Sequence, residues 1–446
     1  MKFGIGFPTC REGTAYPVPY VRPEDFSGIA QRAEELGYYA LWGNDHLTTP
    51  AAIRATQSAP PNFYEPLITF ASLAAVTRRI RFMLGVVVLP EREIILLAKQ
   101  LATLDQLSRG RLLLGVGIGS YREEFEAVHP ELKGANRGRM MEEGIAAVRT
   151  LFSERRASFS GRYVNFEDVE LAPKPYQQPF PILLNAHADI ALERVGATGD
   201  GWIVAGLPVD RTAEARHIVD AAARNAGRDP GSIPLHYQVW LSFGTDRQSA
   251  FQKLQRSQHW RRTLALRPDV GEEDQLERFV AGNLVGSPED VIQQIRSLQR
   301  QTRVDHLGVV MLGETTRELL EDMQLFAREV IPAFAGIFGG IRLHRARNAL
   351  VNLVAQFNAH VLDRFEIANP VGAVTSPGHE VQAPIVCGEP DLDAVRTPGS
   401  TPDRGEVQEW FAGPPRWPAL RISLVHPRVD TRLMRVRRTI LSSSAS

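Results

Sequence analysis

The chain has 446 residues, of which 43% are apolar and 23% charged, and its 51 basic side chains are matched by 51 acidic ones. A formal net charge of zero gives no electrostatic reason to expect nucleic acid or an anionic membrane as partner. Cys10 and Cys387 are too few and too far apart for a disulfide framework or zinc site, no apolar run approaches the ~20 residues of a membrane span, and MKFGIGFPTC does not read as a signal peptide. The expectation is a cytoplasmic protein with a packed core.

Strand-like and helix-like patterns alternate from the start. KFGIGF (2–7) reads as a strand, and Pro23 opens a helix through EDFSGIAQRAEELG that Gly37 stops. YYALWG (38–43) is the second strand and EPLITFASLAAVT (65–77) the second helix, with Pro66 in its first turn. IRFMLGVVVLP (80–90) is a continuous β-branched run, the pattern of a strand buried on both faces. A long amphipathic helix over 92–108 and the strand RLLLGVGIG (111–119) follow. A helix near 135–152 precedes SFSGRYVNFEDVELAPKP, which alternates like a surface hairpin. FPILLNA (180–186), DGWIVAG (200–206) and LHYQVWLSF (235–243) are further strands, with helices between them and a helical insertion over roughly 246–280. Ser287 and Asp290 have capping-box spacing around Pro288, and the strand HLGVVML (306–312) with one more helix completes the series.

Eight strand–helix units in about 335 residues predict an α/β fold, a (β/α)8 TIM barrel with insertions. A doubly wound open sheet shares the alternation, but the strand count favours the barrel. Residues 336–446 differ in composition: Pro, Gly and Thr crowd NPVGAVTSPGHE and RTPGSTPDRGE, and the end is Ser-rich. They read as a C-terminal extension of uncertain fold, a small module or a partly disordered tail, giving domains at 1–335 and 336–446.

In a barrel, chemistry sits on loops after the strands' C-terminal ends. WGNDHL (42–47) ends the second strand there. Gly43 and Asn44 suffice for the turn, which leaves Asp45 and His46 as candidates for chemistry. The spacing in GVGIGS (115–120) is G-x-G-x-G, short of a dinucleotide fingerprint, so Gly115, Gly117 and Gly119 mark either tight barrel packing or close approach to a flat ligand. A helix starting near Ala188 leaves backbone N–H groups around 185–188 able to meet a phosphate, or is an ordinary helix start. No H-E-x-x-H, C-x-x-C or G-x-S-x-G occurs, which removes the main support for metal and α/β-hydrolase readings.

Taken together, RAEELGYYALWGNDHL, FYEPLITFASLAAVTRRIRFMLGVVVLP, LLAKQLATLDQLSRGRLLLGVGIGSYREEFEAVH, GRYVNFEDVELAPKPYQQPFPILL and GDGW resemble the luciferase-like monooxygenase superfamily, in particular its deazaflavin (coenzyme F420)-dependent oxidoreductases. The resemblance implies a cytoplasmic oxidoreductase that exchanges hydride between F420 and a small organic substrate. It implies that His46, with Asp45 beside it, serves in proton transfer or ring positioning. A non-proline cis peptide in the third strand, expected between Val86 and Val87, would back the cofactor ring. Gly115, Gly117 and Gly119 would leave it room, and Asn185, Ala186, His187 and Ala188 would hold its phosphate. Two departures stand out. NAHA (185–188) replaces a Gly-rich stretch, and Ser120 stands where sugar-phosphate dehydrogenases carry a proton-donating Glu. Glu123 and Glu124 lie nearby and either substitute for it or, as the YREEFE helix favours, form a solvated face. An FMN-dependent monooxygenase and a non-catalytic cofactor-binding barrel are the alternatives, and a homodimer is compatible with the family.

Overall fold

A computed structural model describes residues 1–334 of the chain; the extension at 336–446, with Cys387, lies outside the described residues. The strands are β1 (Lys2–Gly6), β2 (Ala40–Gly43), β3 (Arg81–Val88), β4 (Leu112–Gly117), β5 (Ala157–Ser160), β6 (Asn165–Val169), β7 (Ile182–Asn185), β8 (Trp202–Ala205), β9 (Leu235–Phe243), β10 (Leu284–Gly286) and β11 (His306–Met311). Eight of them run parallel in the order β11-β1-β2-β3-β4-β7-β8-β9, and β9 pairs with both β8 and β11, so the sheet closes into a barrel. β5 and β6 form the expected antiparallel hairpin outside it. Among the described residues, no helix is long and apolar enough to cross a membrane.

Pairing on β9 positions an opening in the wall. Its first residues pair with β8 up to Ala205 opposite Gln238, and its last three pair with the short β10, Leu284–Gly286. Between these partners the Trp240 N–H bonds the Asn283 side chain at 3.0 Å in place of a strand neighbour. The predicted insertion is three helices, Arg247–Arg256, Gln258–Leu266 and Glu272–Gly282, and leads directly into β10. The Ser287/Asp290 capping box is present at the start of the helix Pro288–Thr302.

Two apolar layers hold the barrel. Side chains facing the surrounding helices, among them Ile5, Leu41, Phe82, Leu84, Val87, Leu114 and Val309, form the large outer core. Ala40, Trp42, Met83, Leu113, Leu183 and Ile203 fill the barrel interior, alternating with the outer set as strand geometry requires. Trp42 fits there because Gly85 and Gly308 flank it: a Cβ on either would lie 1.6 Å from the indole.

β3 breaks the alternation. Leu84 pairs with Leu114 but Val87 with Val116, so β3 carries one extra residue, a bulge. Gly85 and Val86 consequently both face the interior and are half-exposed, whereas Val87 is buried in the outer core. The cis peptide lies one residue earlier than expected, between Gly85 and Val86.

Candidate active site

β2 delivers His46 to the C-terminal rim, as the sequence reading requires. Its imidazole is 15% exposed, and Nδ1 lies 2.9 Å from Oε2 of Glu124, whose side chain is 2% exposed. The other Glu124 oxygen accepts the backbone N–H groups of Leu47 at 2.7 Å and Thr48 at 3.1 Å. Burial pushes the Glu124 carboxyl up, but the bond to His46 and these amides outweigh it and hold the group below the usual carboxylate range. Glu124 is therefore not on a solvated face. The short helix Arg122–Val128 turns its first turn into the rim, while Glu123 points outward and caps Ala51 N at 2.8 Å. Phe63 and Tyr121 flank the imidazole at ring-centroid distances of 5.2 and 5.9 Å.

Asp45 has no hydrogen bond to His46. One oxygen accepts Val88 N at 3.0 Å and the other binds Arg92, which also reaches Glu65 at 3.3 Å. Neighbouring residues at a strand end point to opposite faces, so Asp45 ties β2 to the end of β3 while His46 looks to the rim.

Gly115 and Gly117 in β4 and Gly119 just after it have a packing reason. A Cβ on Gly115 would lie 2.2 Å from Ile203 and 2.4 Å from Leu84 O; on Gly117 it would lie 2.8 Å from Val86. Gly119 has φ +79° and packs on Val88 and the Glu91 carboxyl. The space beside Gly115 and Gly117 thus belongs to the wall, and the half-exposed Gly85–Val86 bulge is the surface offered to the lumen.

Asn185 is half-exposed and donates to Ile203 O at 3.1 Å; Ala186 is buried and its carbonyl accepts Trp202 Nε1. His187 and Ala188 are exposed ahead of the helix Asp189–Thr198, whose N-cap Ala188 supplies no side-chain cap. Backbone N–H groups are free for an anion there, although Asp189 in the first turn, paired with Arg211, opposes one.

Three further groups escaped the sequence reading. Arg11, fully buried, donates to Gln238 Oε1 at 3.0 Å across 227 residues of chain, and burial lowers its guanidinium to about 10. Glu91, 4% exposed, lies buried behind the rim. A cavity of about 720 Å3 opens at the gap in the wall, lined by Gly206, Gln238, Trp240, Arg267, Arg278 and Asn283; its lining includes neither His46 nor Glu124. No periodicity marks these groups, because tertiary contacts alone bring them together. Among the described residues no cluster of His, Cys, Asp and Glu is arranged to hold a metal ion.

Known proteins resemble the chain in sequence and fold. The family model for luciferase-like monooxygenases matches residues 1–306. An uncharacterized protein of Mycobacterium tuberculosis is 31% identical over 214 residues, covering 46% of this chain and 75% of that one. An F420-dependent hydroxymycolic acid dehydrogenase of the same organism is 29% identical over 222 residues, half of this chain and 59% of the dehydrogenase. The crystal structure of the monooxygenase RslO1 from Streptomyces bottropensis superposes with a TM-score of 0.64 at 27% identity, covering 75% of this chain and all of that one. By the match over its first 306 residues and the barrel they build, the chain belongs to the luciferase-like monooxygenase family, a family of oxidoreductases.

Proposed function

We propose that the chain is an F420-dependent oxidoreductase that exchanges hydride with a small organic substrate, with His46 handling the accompanying proton. The observation that carries this reading is the rim geometry: an imidazole backed by a buried carboxylate, on the same barrel end as a half-exposed bulge at Gly85–Val86. An imidazole titrates near neutral pH and so suits acid–base work. The name of the M. tuberculosis dehydrogenase supports the cofactor assignment at the level of relatedness.

The reading seats a flat ring against glycine and valine at residues 85 and 86, above Trp42 and Met83. In this reading Val86 backs the ring, Asn185, His187 and Ala188 hold the phosphate end, and His46 holds or accepts a proton at the rim. A bound deazaflavin supplies a ring carbon that gives or takes hydride, while the protein supplies orientation and electrostatics. Asp45, Val87, Gly115 and Gly117 serve the framework instead. A homodimer is part of the proposal, with exposed Ile68 and Leu96 on neighbouring helices as its apolar face.

The second reading is an FMN-dependent monooxygenase; its monooxygenase part draws support from the superposition of 75% of this chain on the whole of RslO1. Titration of the purified chain with each cofactor, followed by visible absorbance and fluorescence, decides between them. The proposal expects saturable F420 binding and none of FMN; the reverse pattern overturns it. Turnover unaffected by His46→Ala overturns the role of the imidazole.

A further inference from the structure

Three carboxyls are buried together behind the His46 rim: Asp45 at 4%, Glu91 at 4% and Glu124 at 2% exposure. Asp45 is spent on Val88 N and Arg92, and Glu124 accepts two backbone amides and faces the imidazole. Glu91 is different. Neither of its oxygens has a hydrogen-bond partner among the described residues, although the side chain is packed against Gly119. Its 3-10 turn, Leu89–Glu91, rests on the helix that carries Glu124. The groups facing it are Glu124 from that helix, Asp45 from the end of β2, Arg92 on its own turn, and Arg137 from the helix Arg137–Ser153.

A buried carboxylate without hydrogen bonds is far costlier than a buried neutral acid. Two neighbouring carboxyls in such a site share protons, and the one with the better donors is the one that ionises. Glu124 is within hydrogen-bond distance of three donors and Glu91 of none. We propose that Glu91 is a positioning residue: it carries the proton that Glu124 gives up, and so fixes His46 with its hydrogen on Nδ1 and its lone pair on Nε2. An ionised carboxylate only accepts, so Glu124 requires a donor at 2.9 Å, and in a neutral imidazole that leaves Nε2 as the free base. Were the proton on Glu124 instead, the tautomer would reverse and the group left free would be an N–H. Burial first, then the charges of Glu124 and Asp45, push the Glu91 carboxyl up to about 8 despite Arg92 and Arg137, which agrees with this order.

With the proposed function, which this inference deepens, the consequence is that the imidazole meets its substrate through the Nε2 lone pair and takes up a proton there instead of giving one.

The test uses the full chain without cofactor. Long-range proton–nitrogen NMR of histidine-labelled protein at pH 7, with His46 assigned by its loss in His46→Gln, is expected to show the Nδ1–H tautomer. Infrared difference spectra are expected to show a protonated carboxyl band that disappears in Glu91→Gln and persists in Glu124→Gln. Glu91→Met, neutral and of similar size, serves where Glu91→Gln does not fold. An Nε2–H tautomer, or a band lost with Glu124 instead of Glu91, overturns the proposal. Neither readout involves F420, so failure to bind that cofactor would sink the functional reading while leaving the tautomer assignment standing.

Discussion

Gly85 and Trp42 occupy one another's space: the indole Nε1 lies where a Cβ on residue 85 would be, 1.6 Å from its ideal position. Trp42 is fully buried and bounded on the other side by Gly308, so it has nowhere to retreat. Gly85→Ala should therefore lower stability by about 1–3 kcal/mol or more, the usual cost of overpacking a tight core. Trp42→Phe in the same chain should return part of it. Denaturant unfolding of the two single variants and the double variant measures the coupling, and strict additivity would contradict the contact.

Asp45 supplies a second prediction, about stability and not catalysis. It joins the end of β2 to β3 through Val88 N and Arg92, with 1% and 11% of the Asp45 and Arg92 side chains exposed. Removing one partner of a buried pair leaves the other charge uncompensated, at a cost of roughly 3–5 kcal/mol. Asp45→Ala should approach that loss, reduced by whatever Glu65 recovers for Arg92, and shift the thermal midpoint downward. An Asp45→Ala protein that unfolds like wild type would place the pair among inert contacts.

The barrel was legible because its two periods, near 2 in the strands and near 3.6 in the helices, are local properties of the chain. Gly37 at φ +84° and the Ser287/Asp290 box stand where spacing put them. β10 was missed because three residues carry no period. The displacement of the cis bond to Gly85–Val86, and the outward turn of Val87, follow from a one-residue bulge, which exists only in the register between β3 and β4. Glu124 read as surface because a charged helix start is usually solvated. Its burial depends on a fold-back that brings residues 46 and 124 within 2.9 Å.

At the other end of the barrel interior, His236 and His306 meet Nδ1 to Nδ1 at 3.0 Å. Burial, with Lys2 nearby, lowers His236 to about 4; burial, His236 and Lys2 lower His306 well below the ordinary range. Both groups hold fewer protons folded than unfolded once the pH drops below the ordinary value of about 6.5. Their contribution is therefore complete above that pH and is lost as the pH falls toward about 4, by up to about 1.4 kcal/mol per pH unit for each proton taken up. Urea unfolding of the full chain at pH 7 and pH 5 should show a weaker fold at pH 5. The drop should be smaller in His306→Gln than in wild type. An equal or larger drop in that variant would assign acid sensitivity elsewhere.

The His46–Glu124 pair separates catalysis from folding. His46→Ala leaves the Leu47 and Thr48 amides on Glu124 and removes only the imidazole, so the barrel should keep its stability. Under the proposed function, turnover should fall by about 10²–10⁴-fold, the usual share of a positioned acid or base. Glu124→Gln retains a carbonyl acceptor but loses the charge, and its loss should be smaller. Glu124→Ala should do both kinds of damage, because two loop amides lose their acceptor along with His46. Steady-state kinetics beside thermal unfolding of the three variants reads the pattern. A His46→Ala protein with normal turnover, or one that unfolds as readily as Glu124→Ala, would place the imidazole in the scaffold and out of the reaction.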